Sequence, residues 1–255
     1  MASASTERIR ILQIPFAIGN VAQLAEAALD LRGLVTAPSA PCLALAAKDP
    51  RYTRQLGESQ LVLPDSGAMV MTWRLIRPRS ALQRVSGLAF LEAILEDRRL
   101  RPPGALFLVD PSAESSERNR RFLRSIGIDL QAEAQYIAPL YSSGSVEDPV
   151  LLERLRESKP RYVLINLGGG IQERLGAWLQ GQWQGDPAGC PLPAIFCTGA
   201  AIAFLTGEQS RIPRWADRIY LGWAIRCLGR ASLYVPRYFK SFPVLYHTLK
   251  EALKK

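Results

Sequence analysis

Histidine is almost missing from this 255-residue chain, which contains only His247. Its four cysteines, Cys42, Cys190, Cys197 and Cys227, show no C-x-x-C spacing. Zinc sites and disulfide frameworks therefore lack their usual ligand patterns, and a reducing cytoplasm is the simplest setting. No apolar run approaches the roughly 18 to 20 residues of a membrane span. The opening MASASTERIRILQIP also lacks the apolar core of a signal peptide, so the expectation is that nothing crosses a bilayer. There is no D-x-D pair to bridge a diphosphate through a metal, and neither G-x-G-x-x-G nor a Walker P-loop, which disfavours a nicotinamide dehydrogenase. RGG runs and an aromatic RNP strand are absent, so no nucleic-acid partner is expected. Acids are the scarcer charge, 23 Asp and Glu against 32 Lys and Arg, for a formal charge of +9. That excess favours a polyanionic partner such as a phosphorylated substrate or an anionic membrane surface.

What is present is an alternation of strand-like and helix-like stretches with 48% hydrophobic residues, enough for a sizeable core. Residues 8–15 (RIRILQIP) read as a first strand, and 20–32 as a helix with Val21, Leu24, Ala25, Ala28 and Leu29 on one face before Gly33. Residues 34–36 read as a second strand running into the turn Ala37-Pro38-Ser39-Ala40-Pro41. Residues 42–48 then read as a helix stopped by Asp49-Pro50. Further strands are expected at 61–63, 105–109, 161–167 and 194–197, with helices at 85–100, 112–126 and 151–158. The pattern predicts a three-layer α/β sandwich on a mainly parallel sheet. After residue 210 the chain turns basic and aromatic, with no evident strand. We expect two parts, a catalytic domain over 1–210 and a mainly helical, basic C-terminal appendage over 211–255.

Two turns stand out. In LVLPDSG, Asp65 follows a short apolar strand, at the carboxyl edge where open α/β sheets bind ligands. The same acid can instead cap the next helix through a side-chain oxygen, and local pattern does not separate the two roles. In RYVLINLGGG, a glycine cluster joins strand to helix, which suits either close approach of an anion to backbone amides or a plain tight turn.

Taken together, PDSGAMV, RVSG, LGGGIQE, the glycine-bearing strand end at Gly199, and RIPRW followed by Trp223, Arg226 and Arg237-Tyr238 resemble the WecG/TagA/CpsF family of bacterial glycosyltransferases from about residue 8 to 239. The resemblance implies a Rossmann-like domain with a C-terminal appendage. It implies inverting, metal-independent transfer, without a cofactor, from a UDP-sugar donor to a polyprenyl-diphosphate-linked acceptor. The setting would be surface polysaccharide biosynthesis at the inner face of the cytoplasmic membrane. By position, Asp65 matches the family's acid and would be the general base. Arg84 matches the arginine of R-V-x-G, and Gln172 with Glu173 match the end of LGxPxQE. Arg226 and Arg237 match arginines of the appendage. Ser39 lies in the turn where the family has T-P-N, Tyr141 lies near its aromatic position, and Gly168, Gly169 and Gly199 would lie beside the substrate. A carboxylate can take the acceptor hydroxyl's proton while cations offset charge on the leaving diphosphate.

The chain also departs from the family at Ala37, Ser39, Ser66, Gly170, Ala203 and Gly222, several of them polar positions expected near the sugar. Two outcomes fit: a donor other than the N-acetylmannosamine nucleotide, or a relative that binds a nucleotide sugar without transferring it. Without the family, Gln172 and Glu173 read as first-turn helix residues and Arg84 as a solvated cation. Trp215 and Trp223 read as packing anchors, and His247 is given no catalytic role. The oligomeric state stays open, a homo-oligomer included.

Overall fold

The computed structural model describes residues 6–142, 144, 146–183, 189–209 and 242–254. The expectations placed on 211–241, including Arg226, Arg237, Trp215, Gly222 and Trp223, lie outside the described residues. The strands are β1 (Arg8–Ile11), β2 (Ile14–Ala17), β3 (Gly33–Thr36), β4 (Leu61–Val62), β5 (Leu106–Asp110), β6 (Gln135–Ile137), β7 (Tyr162–Ile165) and β8 (Ala194–Cys197). The helices are α1 (Val21–Asp30), α2 (Ala40–Ala46), α3 (Pro50–Gly57), α4 (Gly67–Ile76), α5 (Gly87–Glu96), α6 (Ala113–Ser125), α7 (Pro149–Ser158), α8 (Ile171–Trp183), α9 (Ala201–Leu205) and, at the C-terminus, α10 (Phe242–Lys254).

The sheet has eight strands in the order β1-β2-β4-β3-β8-β7-β5-β6, parallel except for the β1–β2 pair. Residues 8–62 supply one half and residues 106–197 the other. They join where β3 pairs with β8, from Gly33 opposite Ala194 to Thr36 opposite Cys197. β3, β5, β7 and β8 are buried throughout, as strands covered by helices on both faces must be. Helices α1, α5, α9 and α6 pack in succession in one layer, and α8, α3, α2, α4 and α10 in the other. This is the expected Rossmann-like α/β sandwich. Gly176 sets the approach of α8 to the sheet, since a Cβ there would come within 2.5 Å of Leu34 Cδ1 on β3.

Two local expectations need correction. The strand predicted over 8–15 is a hairpin whose two-residue turn, Leu12-Gln13, has φ of 54° and 65°. A primed turn favours Asn or Gly at those positions, and neither is there, so the local sequence gives no sign of it. The turn is held from afar: the Leu12 amide donates to Glu251 Oε2 of α10 at 2.6 Å. Asp49-Pro50 ends α2 but also opens α3, with Asp49 Oδ1 accepting from the Arg51 and Tyr52 amides at 2.9 and 3.1 Å and Pro50 in the first turn, where its missing N–H costs nothing. Elsewhere the local signals hold. α6 ends before Gly127, whose φ of 82° is the left-handed conformation glycine adopts after a helix.

α10 belongs to the body of the molecule. Val244, Thr248 and Ala252 recur at every fourth residue, are fully buried, and face α4 and α2. Burying a valine side chain stabilises by about 1.5 kcal/mol or more. The C-terminal end of the expected appendage is therefore part of the core beside the β1–β2 hairpin.

Candidate functional site

Parallel strands end in register, so the turns that follow β3, β4, β7 and β8 open on one edge of the sheet. Asp65 comes three residues after β4. Its amide donates to Leu63 O at 2.9 Å, which turns the chain toward α4. The capping of α4 falls to the next residue, since Ser66 Oγ accepts from the Met69 amide at 3.3 Å. Asp65 reaches instead to the start of α5. Its Oδ1 accepts from the Gly87 amide at 3.1 Å, and Arg84 Nη2 lies 3.8 Å from the same oxygen. Arg84 Nε also donates to Asp65 O at 2.8 Å. Both side-chain contacts use Oδ1, which leaves Oδ2 as the atom a ligand can meet. Ser86 caps α5 by accepting from the Ala89 amide at 3.2 Å. A Cβ on Gly87 would stand 3.0 Å from Thr198 O, so α5 starts hard against the end of β8.

Facing this group is the turn after β7. α8 begins at Ile171, just past Gly168-Gly169-Gly170. Gly170 has φ of 92°, and a Cβ on Gly169 would fall 2.6 Å from Cys42 Sγ. Both positions thus require glycine, one for conformation and one for space. The family's proline at position 170 could not take that φ, so the replacement changes the turn itself. Gln172 and Glu173 are almost wholly buried. Gln172 Oε1 accepts from the Gly199 amide at 3.0 Å, Gln172 Nε2 donates to Glu173 Oε1 at 2.9 Å, and Glu173 Oε2 accepts from the Gly170 amide at 2.6 Å. The two turns are tied together by this chain of bonds.

Burial raises the Glu173 carboxyl above its ordinary range, and the donors from Gln172 and Gly170 pull it back. Beside it, burial first and the Glu173 charge second push the Cys42 thiol up to about 12. The Tyr52 hydroxyl is raised in the same way. Cys42 is therefore a packed thiol and not a nucleophile. Arg174 fixes α8 against α3, with Nη2 2.9 Å from Asp49 Oδ2 and its guanidinium 4.9 Å from the centre of the Tyr52 ring.

Between the two groups, outside the β3–β8 join, lies a cavity of about 220 Å³. Asp65, Arg84 and Gln172 line it, as do Ser39, Gly168, Gly169 and Gly199. The cavity therefore gathers seven of the expected site residues from five separate segments of the chain. Glu173 lies behind Gln172 and is absent from the lining. Tyr141 is elsewhere: its hydroxyl donates to Asp148 Oδ2 at 2.7 Å, sharing with Tyr136 the acid that caps α7. The lining also includes residues that sequence reading passed over, notably Ser86, Thr198 and Phe204. Thr198 is the most telling, because its hydroxyl is buried with no hydrogen-bond partner among the described residues. A hydroxyl between a strand end and a glycine was the available signal. Among the described residues, no three His, Cys, Asp or Glu side chains gather in a way that could hold a metal ion.

The model of the WecG/TagA/CpsF glycosyl transferase family matches residues 8–255. The chain belongs to this family. Comparison with curated proteins gives no match. Membership identifies a glycosyltransferase, which takes a sugar donor and an acceptor. Among the described residues, no helix is long and apolar enough to cross a membrane.

Proposed function

We propose that this member is an inverting, metal-independent transferase that moves a sugar from a UDP-sugar to a polyprenyl-diphosphate-linked acceptor, with Asp65 as general base. The observation that carries the reading is the meeting of Asp65, Arg84 and Gln172 on one cavity at the β3–β8 join, with the glycine turn opposite the acid. In the step we envisage, the acceptor hydroxyl attacks the anomeric carbon from the face opposite the diphosphate. Asp65 Oδ2 takes the hydroxyl proton as the new glycosidic bond forms. The bond to the diphosphate breaks, and UDP leaves with the electron pair. Arg84 is the cation on the cavity wall suited to the departing negative charge. Ser39, Thr198 and the Gln172 amide are polar groups suited to the sugar hydroxyls.

We also place the acceptor side at an anionic membrane surface. Support comes from the +9 charge and from large apolar side chains left exposed on α4 and α10, which pack on each other: Met71 and Leu75 on the first, Tyr246, Leu249 and Leu253 on the second. An interfacial face of this kind binds by shallow apolar burial added to attraction for anionic lipid.

The test is release of UDP from a panel of UDP-sugars, with and without a lipid-diphosphate acceptor analogue, run in parallel on Asp65→Asn. Acceptor-dependent release that Asp65→Asn abolishes supports transfer. Nucleotide-sugar binding with no release under any condition supports instead the reading of a relative that has lost catalysis, which the changed residues at Ala37, Ser39 and Gly170 would explain.

A further inference from the structure

The side-chain amide of Gln172 has a donor end and an acceptor end, and its neighbours settle which way it faces. The Gly199 N–H can only donate, and it meets Oε1; the Glu173 carboxyl, whose Oε2 already accepts from the Gly170 amide, meets Nε2 with Oε1. With both partners in place the amide has one orientation. One N–H of Nε2 goes to Glu173, and the second remains on a residue that lines the cavity although it is only 1% exposed. We propose that Glu173 is a positioning residue: it holds Gln172 so that this second N–H is presented to an oxygen of the sugar donor. The inference rests on the transferase reading for the identity of the ligand, but not for the orientation of Gln172.

The competing explanation is purely structural. Glu173 is the third residue of α8, and its acceptance of the Gly170 amide at 2.6 Å is half of a capping box, which needs nothing from Gln172. The bond from Gln172 Nε2 is superfluous to the cap. Its counterpart at Gly199 is 26 residues away in sequence from Glu173 and lies in another turn that lines the cavity, so the relay joins the turn after β7 to the turn after β8.

Glu173→Gln separates the two. The substitution keeps size and keeps an oxygen for the Gly170 amide, so the cap survives. It also sets an NH₂ group against the NH₂ of Gln172. Rotating Gln172 to relieve that contact turns its own NH₂ against the Gly199 N–H. A donor then meets a donor in every arrangement that preserves the cap. We expect kcat for UDP-sugar consumption to fall by about 10²-fold, the scale of losing one preorganised donor, with a smaller change in KM. In the Gln172→Ala background, Glu173→Gln should then cost less than about twofold, because the two act as one unit. Additive losses would overturn the proposal.

A second readout needs no turnover. In ¹⁵N-labelled full-length protein, the Gln172 side-chain signals, identified by their disappearance in Gln172→Ala, should shift in Glu173→Gln, and the Gly199 amide should exchange faster. Unchanged signals would overturn the proposal too. If no UDP-sugar is consumed, the transferase reading fails while this spectrum still decides the role of Glu173. Should Glu173→Gln not fold, Glu173→Asp serves in both experiments, since it keeps the charge in the first turn but withdraws it from Gln172 by one carbon.

Discussion

Replacing Asp65 by Asn tests the assignment of the base with little disturbance of the fold, and the structure shows why. The Asn side chain has the same shape and retains an oxygen for the Gly87 amide, so the start of α5 keeps its partner. What is lost is the charge facing Arg84 at 3.8 Å, between side chains 15% and 21% exposed. At 3.8 Å the pair is too long for a hydrogen bond and the Asn side chain still offers the guanidinium an oxygen, so the loss costs about 1 kcal/mol although both side chains are largely buried. In a chain of this length that corresponds to a Tm change of at most about 2–4 °C. The catalytic loss should be far larger. Removing a positioned general base slows turnover by about 10²–10⁴-fold, or roughly 2.7–5.4 kcal/mol in the barrier. Asp65→Ala adds a separate effect, because it leaves the first amide of α5 without its acceptor, at a cost of about 0.5–2 kcal/mol. The two variants should therefore differ in Tm but agree in rate. The assay is acceptor-dependent UDP release at saturating donor, with donor affinity measured independently by calorimetry. Turnover of Asp65→Asn within about fivefold of the parent, on a substrate the parent transfers, would refute the role of base.

Gly169→Ala should lower stability by about 1–3 kcal/mol by forcing a Cβ toward Cys42 Sγ, and the loss should shrink in the Cys42→Ala background; chemical denaturation of both reads the coupling. Asp110→Asn should stabilise by about 1 kcal/mol at pH 7, because Asp110 is wholly buried, its Oδ1 takes both Asn119 and Asn166 as donors, and its Oδ2 has no partner among the described residues. The sign follows from burial raising its pKa. The wild-type carboxyl then binds its proton more readily folded than unfolded, so its cost is absent below the ordinary value of 3.8 and grows as pH rises through the folded value. The gain from Asn should accordingly vanish in acid, and a gain that grows below pH 4 would reject the argument. Leu75→Asp with Leu253→Asp should weaken co-sedimentation with anionic vesicles at low salt without altering Tm, since both side chains are mostly exposed. Equal sedimentation of the double variant and the parent would remove those helices from the membrane contact.

The fold was legible wherever local chemistry and tertiary demand coincide. Buried parallel strands show as apolar runs in 106–110, 162–165 and 194–197, and the helices read over 20–32, 112–126 and 151–158 form behind side-chain caps at Asn20, Ser112 and Asp148. What was hidden is held from a distance. The Leu12-Gln13 turn lacks turn residues because Glu251 supplies the acceptor that keeps its backbone in place. Residues 242–254 likewise read as a basic tail but pack as core, against α4 and α2. Among the described side chains of this helix the buried ones are Val244, Thr248 and Ala252, too sparse and too small a stripe to announce a core helix.

At the site, chain order was informative but chemistry alone was not. Asp65 carried two readings, an active acid or a helix cap, and the structure makes them compatible. The carboxylate does bind a helix amide, but that of α5, 22 residues onward, and it does so with one oxygen. The cap of the adjacent α4 is made by Ser66, where the family commonly has glycine. A residue that departs from the family pattern thus relieves Asp65 of a local duty. Oδ1 fixes the side chain by the Gly87 amide and the Arg84 guanidinium, on a residue that lines the cavity, and Oδ2 takes no part in either contact. Anchoring one oxygen and exposing the other is how a short side chain at a strand end can serve as a base in a defined place. The substitution at position 66 therefore counts toward an organised site and against a decayed one.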